Sequence, residues 1–266
     1  MKILDEEVKK LQVASLKIEI YPTSRLAGNA AAQATARALR DLDSLARPLS
    51  IIFATGASQL DTLAALTSMA DLPWHKVHGF HLDEYLGIEK NHPASFRRYL
   101  RENLTQRVHM KEFSEIDGNT TDPGGLCKEY AEKVCSSNPQ LCLLGIGENG
   151  HLAFNDPAEA NFDDPLAVKV VKLDSVCREQ QAAEGWFNTL QEVPEQAITL
   201  TIPTLFRVPK LIVSVPGKRK AQIVRRTLED PISTNCPSTV LRNHPDATIY
   251  LDAESATELG SLLRSG

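Results

Sequence analysis

The residues with the most chemical potential fall in a few short stretches. Leu141–Pro157 reads LCLLGIGENGHLAFNDP: an apolar run, then glycines at 145, 147 and 150, then His151, with the Asp156 carboxylate five residues on. Glycine lets the backbone take positive φ or approach a ligand closely. A strand that releases into such a turn is where open α/β sheets place their chemistry. Phe80-His81-Leu82-Asp83-Glu84-Tyr85 brings two adjacent carboxylates to a strand end. Neighbouring side chains there point to opposite sides, so one carboxylate can face a pocket while the other supports the loop. A carboxylate so placed suits proton abstraction beside a carbonyl; an ordinary acidic loop is the alternative.

Two further stretches look made for an anion. After the apolar run Ser50–Ala54 come Thr55-Gly56-Ala57-Ser58 and a helical pattern. Orphan N–H groups and the positive end of a helix dipole would meet a ligand there, although Ser58 as a plain helix cap explains the same letters. Gly217-Lys218-Arg219-Lys220-Ala221 sets three cations at a helix start. They oppose the dipole at roughly 0.3–1 kcal/mol each, a cost that a substrate phosphate would offset. Two such signals, both at strand-to-helix turns, favour a phosphorylated ligand. His75, His78 and His81 do not make a metal site, because a spacing of three alternates faces on a strand. No cysteine sits at a glycine turn, so cysteine nucleophilic chemistry is not expected.

The elements that would carry these turns alternate along the chain. Strands are expected at 16–21, 50–54, 74–82, 141–144, 167–173, 197–202, 211–215 and 247–251. Helices are expected at 24–42, 59–70, 94–103, 123–136, 175–187, 218–228 and 254–263. This pattern implies βαβ units: a doubly wound, mostly parallel, Rossmann-like central sheet with helices on both faces. No linker or repeat interrupts it, so a single domain over residues 1–266 is expected. The polar, irregular segment 158–165 is the expected mobile flap.

Composition narrows the function classes. The 266 residues carry 24% charged and 42% hydrophobic side chains and a net charge of −5. That balance argues against nucleic-acid or membrane-surface binding, and no apolar run approaches the ~20 residues of a span. The five cysteines (127, 135, 142, 177 and 236) contain no CxxC pair, and the N-terminal MKILDEEVKKLQ lacks the apolar stretch of a secretory leader. Both point to a reducing, cytoplasmic setting. A homo-oligomer stays open.

Taken together, these motifs resemble the glucosamine-6-phosphate deaminase (isomerase) family. The carriers are Ala54–Ser58, Leu82–Gly87 (LDEYLG), His92–Phe96 (HPASF), Gly145–Pro157 and Gly217–Ala221. The related 6-phosphogluconolactonases share the fold and the Gly-His turn but not the DEYxG segment or the AFN continuation. The resemblance implies conversion of an aminosugar phosphate to fructose 6-phosphate and ammonia. Asp83 would move a proton from C2 towards C1, and His151 would open the pyranose ring. Asp156 stands in the place of a glutamate beside that histidine, and Asn149 in the place of a common aspartate. Thr55, Gly56, Ala57, Ser58, Gly147 and Lys220 would bind the substrate. No metal or organic cofactor is implied, and the partner is a small sugar phosphate.

The departures matter. Asn149 can accept the imidazole N–H but cannot stabilise an imidazolium by charge, so Asn149→Asp is expected to raise turnover. Asp156 is one methylene shorter than glutamate, a reach that could leave it far from His151. A phosphate-binding arginine of the family maps onto Gln181, and Arg178, about one helical turn earlier, could replace it. Of the family's basic allosteric cluster Lys169 matches, but Ala167 stands where an arginine would be, so allosteric activation is not expected. Glucosamine 6-phosphate is the first expectation for the substrate, with galactosamine 6-phosphate conceivable. The competing readings are a lactone hydrolase using His151 as base, in which Asp83 is dispensable, and a non-catalytic sugar-phosphate sensor.

Overall fold

The computed structural model describes residues 8–260, apart from 48 and 184. Lys9–Val13 (β1) and Leu16–Tyr21 (β2) make an antiparallel hairpin, followed by the helix Ser24–Ser44 (α1). Leu49–Phe53 (β3) leads to Leu60–Thr67 (α2), Val77–His81 (β4), Asp83–Tyr85 (β5), Phe96–Leu100 (α3) and Glu112–Ser114 (β6). Pro123–Ser137 (α4) precedes Leu141–Leu144 (β7), Val168–Lys172 (β8), Ser175–Ala183 (α5) and Gln196–Leu200 (β9). Ile202–Phe206 (α6), Lys210–Val215 (β10), Ala221–Glu229 (α7) and Ala247–Asp252 (β11) complete the order.

The main sheet runs β1-β2-β11-β10-β7-β3-β4-β6 and is parallel except for β1. Its apolar runs exist because both faces are covered. In β7, Leu141 and Leu143 join the core under α1 and α2, while Cys142 and Leu144 join the core under α4 and α7. The chain leaves β3 towards β4 and β6, then returns to the other side of β3 as β7. The strand order therefore switches direction between β3 and β7, where a crevice opens at the carboxyl ends of the strands.

A second, antiparallel sheet, β5-β9-β8, was not expected from the sequence. Leu82 joins the two: its N–H donates to Phe53 O of the main sheet, and its carbonyl accepts from Leu200 N of the second. Asp83, the next residue, is thereby fixed where the sheets meet.

Several boundaries differ from expectation for local reasons. Trp74–Lys76 form a 3-10 turn ahead of β4. The strand expected to reach 202 ends at Leu200, because Ile202-Pro203 opens α6 and proline fits a first helical turn. Helix α5 stops at Ala183, short of 187, near Gly185 with φ +80°. Residues 254–260 form turns rather than a closing helix, and 261–263 lie outside the described residues. The expected flap is tied down: Lys169 pairs with Asp164 at 2.9 Å and donates to Glu159 O, while Phe162 packs against the core.

Candidate active site

The β3 and β7 exits face each other across a cavity of about 470 Å³. Gly56 (φ +88°) starts a 3-10 turn over Ala57–Gln59 that runs into α2, and Gly217 (φ +93°) starts the same device over Lys218–Lys220 ahead of α7. Both turns need a glycine, since L residues strain at such φ. Gln59 Nε2 donates to Ser58 Oγ (3.2 Å) and to Leu144 O (3.1 Å), which bolts the first turn to the end of β7. The Ser58 oxygen thus accepts from Gln59, and its own hydrogen can donate into the cavity. Lys220 Nζ lies 2.9 Å from Ile146 O, and Arg219 pairs with Glu148 at 2.8 Å. Thr55, Gly56, Ala57, Ser58 and Lys220 line one cavity with Gly217, a basic and backbone-rich lining suited to an anion.

Asp83 reaches the cavity from the second sheet, where it pairs with Thr199. Its carboxylate is buried and has no hydrogen-bond or ion-pair partner among the described residues. Burial, with the neighbouring Glu84 charge second, pushes the Asp83 carboxyl well above the usual range. Glu84 points the other way. It accepts from the backbone N–H of Tyr85 (3.0 Å), Phe96 (3.1 Å) and Arg97 (2.9 Å), and from Ser95 Oγ (2.9 Å). Among the described residues one carboxylate is left without a partner and its neighbour holds the start of α3. Glu84→Gln turns an amide nitrogen towards those donors, and we expect it to lower stability by about 2–3 kcal/mol in urea unfolding.

His151 lines the same cavity, its ring over Gly147. A Cβ built on Gly147 would lie 2.2 Å from the imidazole Nε2 and Cε1. His151 Nδ1 is 2.9 Å from Asp156 Oδ1. Burial alone would raise the Asp156 carboxyl, but hydrogen bonds from His151, Asn149 and Asp174 outweigh it and hold the group below its ordinary value. An ionised carboxylate can only accept, so Nδ1 carries the hydrogen and Nε2 is the basic nitrogen.

The structure brings Asp83, His151, Gly147, Lys220 and Thr55–Ser58 onto one cavity; Asn149 and Asp156 stand behind His151 rather than on the wall. Three expectations are corrected. Asp156 is not too short, since it reaches His151 directly. Asn149 does not accept the imidazole N–H: its Oδ1 accepts from His151 backbone N at 3.0 Å, and its Nδ2 donates to Asp156 (2.9 Å) and Asp174 (2.8 Å). Arg178 does not replace an anion-binding arginine, because its guanidinium donates to Leu190 O and Val193 O, while Gln181 lines the cavity.

Of the three histidines set aside as ligands, His78 contacts Ser114, and buried His81 is pushed down to about 3 by burial and the Arg97 charge. The sequence reading overlooked Asp174, Gln180 and Cys177. Gln180 Oε1 accepts from Glu148 N at 3.0 Å. Cys177 Sγ forms with His151 and Asp156 a group whose ligand atoms lie within 4.8 Å of one another. Asp174 carried one weak signal, a helix cap before Ser175.

A basic, backbone-rich cavity lining, a buried lone carboxylate and an oriented histidine, gathered at the switch point of a doubly wound sheet, fit an α/β enzyme of acid–base chemistry. The model of the glucosamine-6-phosphate isomerases/6-phosphogluconolactonases matches residues 22–250, and the chain belongs to that family. It is 37% identical over 207 residues to a glucosamine-6-phosphate deaminase of Listeria monocytogenes serotype 4a (strain HCC23), covering 77% of this chain and 86% of that one. Among solved structures it resembles a monomeric glucosamine-6-phosphate deaminase, with a TM-score of 0.82, 28% identity, and coverage of 91% and 99% of the two chains. A 6-phosphogluconolactonase from Shewanella baltica OS155 shares the fold at a TM-score of 0.74 and 18% identity, covering 93% and 100%. Among the described residues no helix is long and apolar enough to cross a membrane.

Proposed function

We propose that this chain is a glucosamine-6-phosphate deaminase, converting glucosamine 6-phosphate to fructose 6-phosphate and ammonia as a single domain in the cytoplasm. The observation that carries this reading is the buried, unpartnered carboxylate of Asp83 opening onto the same cavity as His151. Lactone hydrolysis needs a base for water but no second base opposite. Isomerisation of an aminoaldose needs both: one group to open the ring and another to move the C2 proton. The relatives named as deaminases support the same reading.

The phosphate lies against Thr55–Ser58 and Lys220, far from the reacting carbons, and its binding energy orients the sugar. His151 Nε2 takes the anomeric hydroxyl proton and returns a proton to O5 as the ring opens. The carboxylate of Asp83 then removes the C2 proton and delivers it to C1. That transfer, with O1 taking a proton, leaves a C2=N iminium; water adds to C2, and the C2–N bond breaks to release ammonia as the C2 ketone of fructose 6-phosphate forms.

The test is ammonia release by the wild-type protein from glucosamine 6-phosphate and galactosamine 6-phosphate, alongside hydrolysis of 6-phosphogluconolactone. Turnover of glucosamine 6-phosphate is expected. Lactone hydrolysis without ammonia, or binding with neither activity, would overturn the reading. The Asn149 contacts reverse the expectation for Asn149→Asp, and the same assay checks it. An aspartate there would face Asp156 and Asp174 with a third carboxylate and no hydrogen to donate, so turnover should fall by about tenfold, not rise.

A further inference from the structure

We propose that Asp174 is a positioning residue for the reaction, acting through the Asn149 amide to hold Asp156 and His151 and to tie them to helix α5. The proposal rests on the deaminase reading above for its activity readout, but its geometry does not.

The network is closed. Asn149 uses every hydrogen-bonding atom of its side chain: Oδ1 accepts from His151 N (3.0 Å), and the two Nδ2 hydrogens go to Asp156 Oδ1 (2.9 Å) and Asp174 Oδ2 (2.8 Å). Only this amide orientation is consistent, because the opposite one would aim an oxygen at two carboxylates. Asp156 is fully buried, and both its oxygens are engaged: Oδ1 by His151 and Asn149, Oδ2 by the backbone N–H of Asp174 at 3.0 Å. Asp174 therefore grips Asp156 twice, directly through its N–H and indirectly through Asn149. Its remaining oxygen, Oδ1, accepts from Cys177 N at 2.7 Å and caps α5. One turn on, Gln180 and Gln181 of the same helix face the cavity. A shift of α5 is thus transmitted to the histidine by one side chain with two oxygens, one for the helix and one for the bridge.

This division of labour supplies the experiment. Serine at 174 keeps a single oxygen able to cap α5 but has none left for Asn149, so Asp174→Ser separates the two roles. With the full chain and glucosamine 6-phosphate, we expect Asp174→Ser to keep a wild-type-like Tm and to lose about tenfold in kcat, with KM within about twofold. Asn149→Ala should lose a similar factor, and Asn149→Ala/Asp174→Ser no more than the worse single variant, because both break one bridge. Independently of turnover, 15N NMR of the His151 ring should show the Nδ1–H tautomer alone in the wild type and a mixture in Asp174→Ser. A folded Asp174→Ser with wild-type kcat and an unchanged ring tautomer would overturn the proposal, as would losses that multiply in the double variant. If the wild type releases no ammonia, the deaminase reading fails and the tautomer measurement decides this proposal alone.

Discussion

Asp83→Asn is expected to abolish deamination while leaving a protein at least as stable as the wild type. Asparagine keeps the size of the side chain but cannot take the C2 proton, so kcat should fall by about 10³-fold, within the range for a lost general base. The stability change follows from the same burial. The folded chain raises the Asp83 pKa, and so binds that proton more tightly than the unfolded chain does. The resulting stabilisation is complete below the unfolded value of about 4 and disappears as pH climbs through the raised folded value. At neutral pH an ionised, unpartnered Asp83 costs stability, and asparagine removes that cost. A higher Tm, by about 2–4 °C for each kcal/mol relieved, should accompany the dead enzyme. For the wild type, kcat/KM should rise with pH through a limb lying above the ordinary carboxylate range, since only the ionised base is competent.

Gly147→Ala should be the second most damaging change, although it adds one methyl group. That methyl would lie 2.2 Å from Nε2 of His151, so the ring must move. The His151–Asp156 hydrogen bond at 2.9 Å and the Nε2 aim into the cavity cannot both survive the displacement. A shift of roughly 1 Å in a reacting group costs about 10²-fold in rate, and that loss is expected in kcat. Gly147 has no positive φ among the glycines that require one, so the folded chain should tolerate alanine there. Near-wild-type circular dichroism with a hundredfold loss of ammonia release would bear this out. Wild-type turnover would show that the ring can settle elsewhere.

Much of this site is legible in the sequence, and the limits are physical. Parallel strands buried on both faces leave apolar runs such as LCLL, and positive-φ turns leave glycines such as Gly56 and Gly217, so the main sheet and its exits were legible. The second sheet was not. Its strand β5 is three residues long and includes Asp83 and Glu84, whose letters read as an acidic loop; only pairing with Thr199 and Ile198 makes it a strand. Strand β1, KKLQV, is an exposed edge whose lysines hide its pattern. In the site, adjacent carboxylates announced a division of roles, and Glu84 and Asp83 do face apart. Hydrogen-bond direction was not readable. By its letter Asn149 reads as a weakened aspartate, but its amide lies between two carboxylates, one of them brought from 25 residues away by β8 and the cap of α5. A tertiary bridge of that kind has no local spacing to betray it.

The central claim is that one cavity places the C2 proton of an aminosugar phosphate at Asp83. Its most direct test is the fate of deuterium in [2-²H]glucosamine 6-phosphate. With the wild type, the label should leave C2 in step with ammonia release, appearing at C1 of fructose 6-phosphate or in solvent, and Asp83→Asn should retain it at C2. Label retained at C2 by the wild type, or lost equally well by Asp83→Asn, would contradict the account.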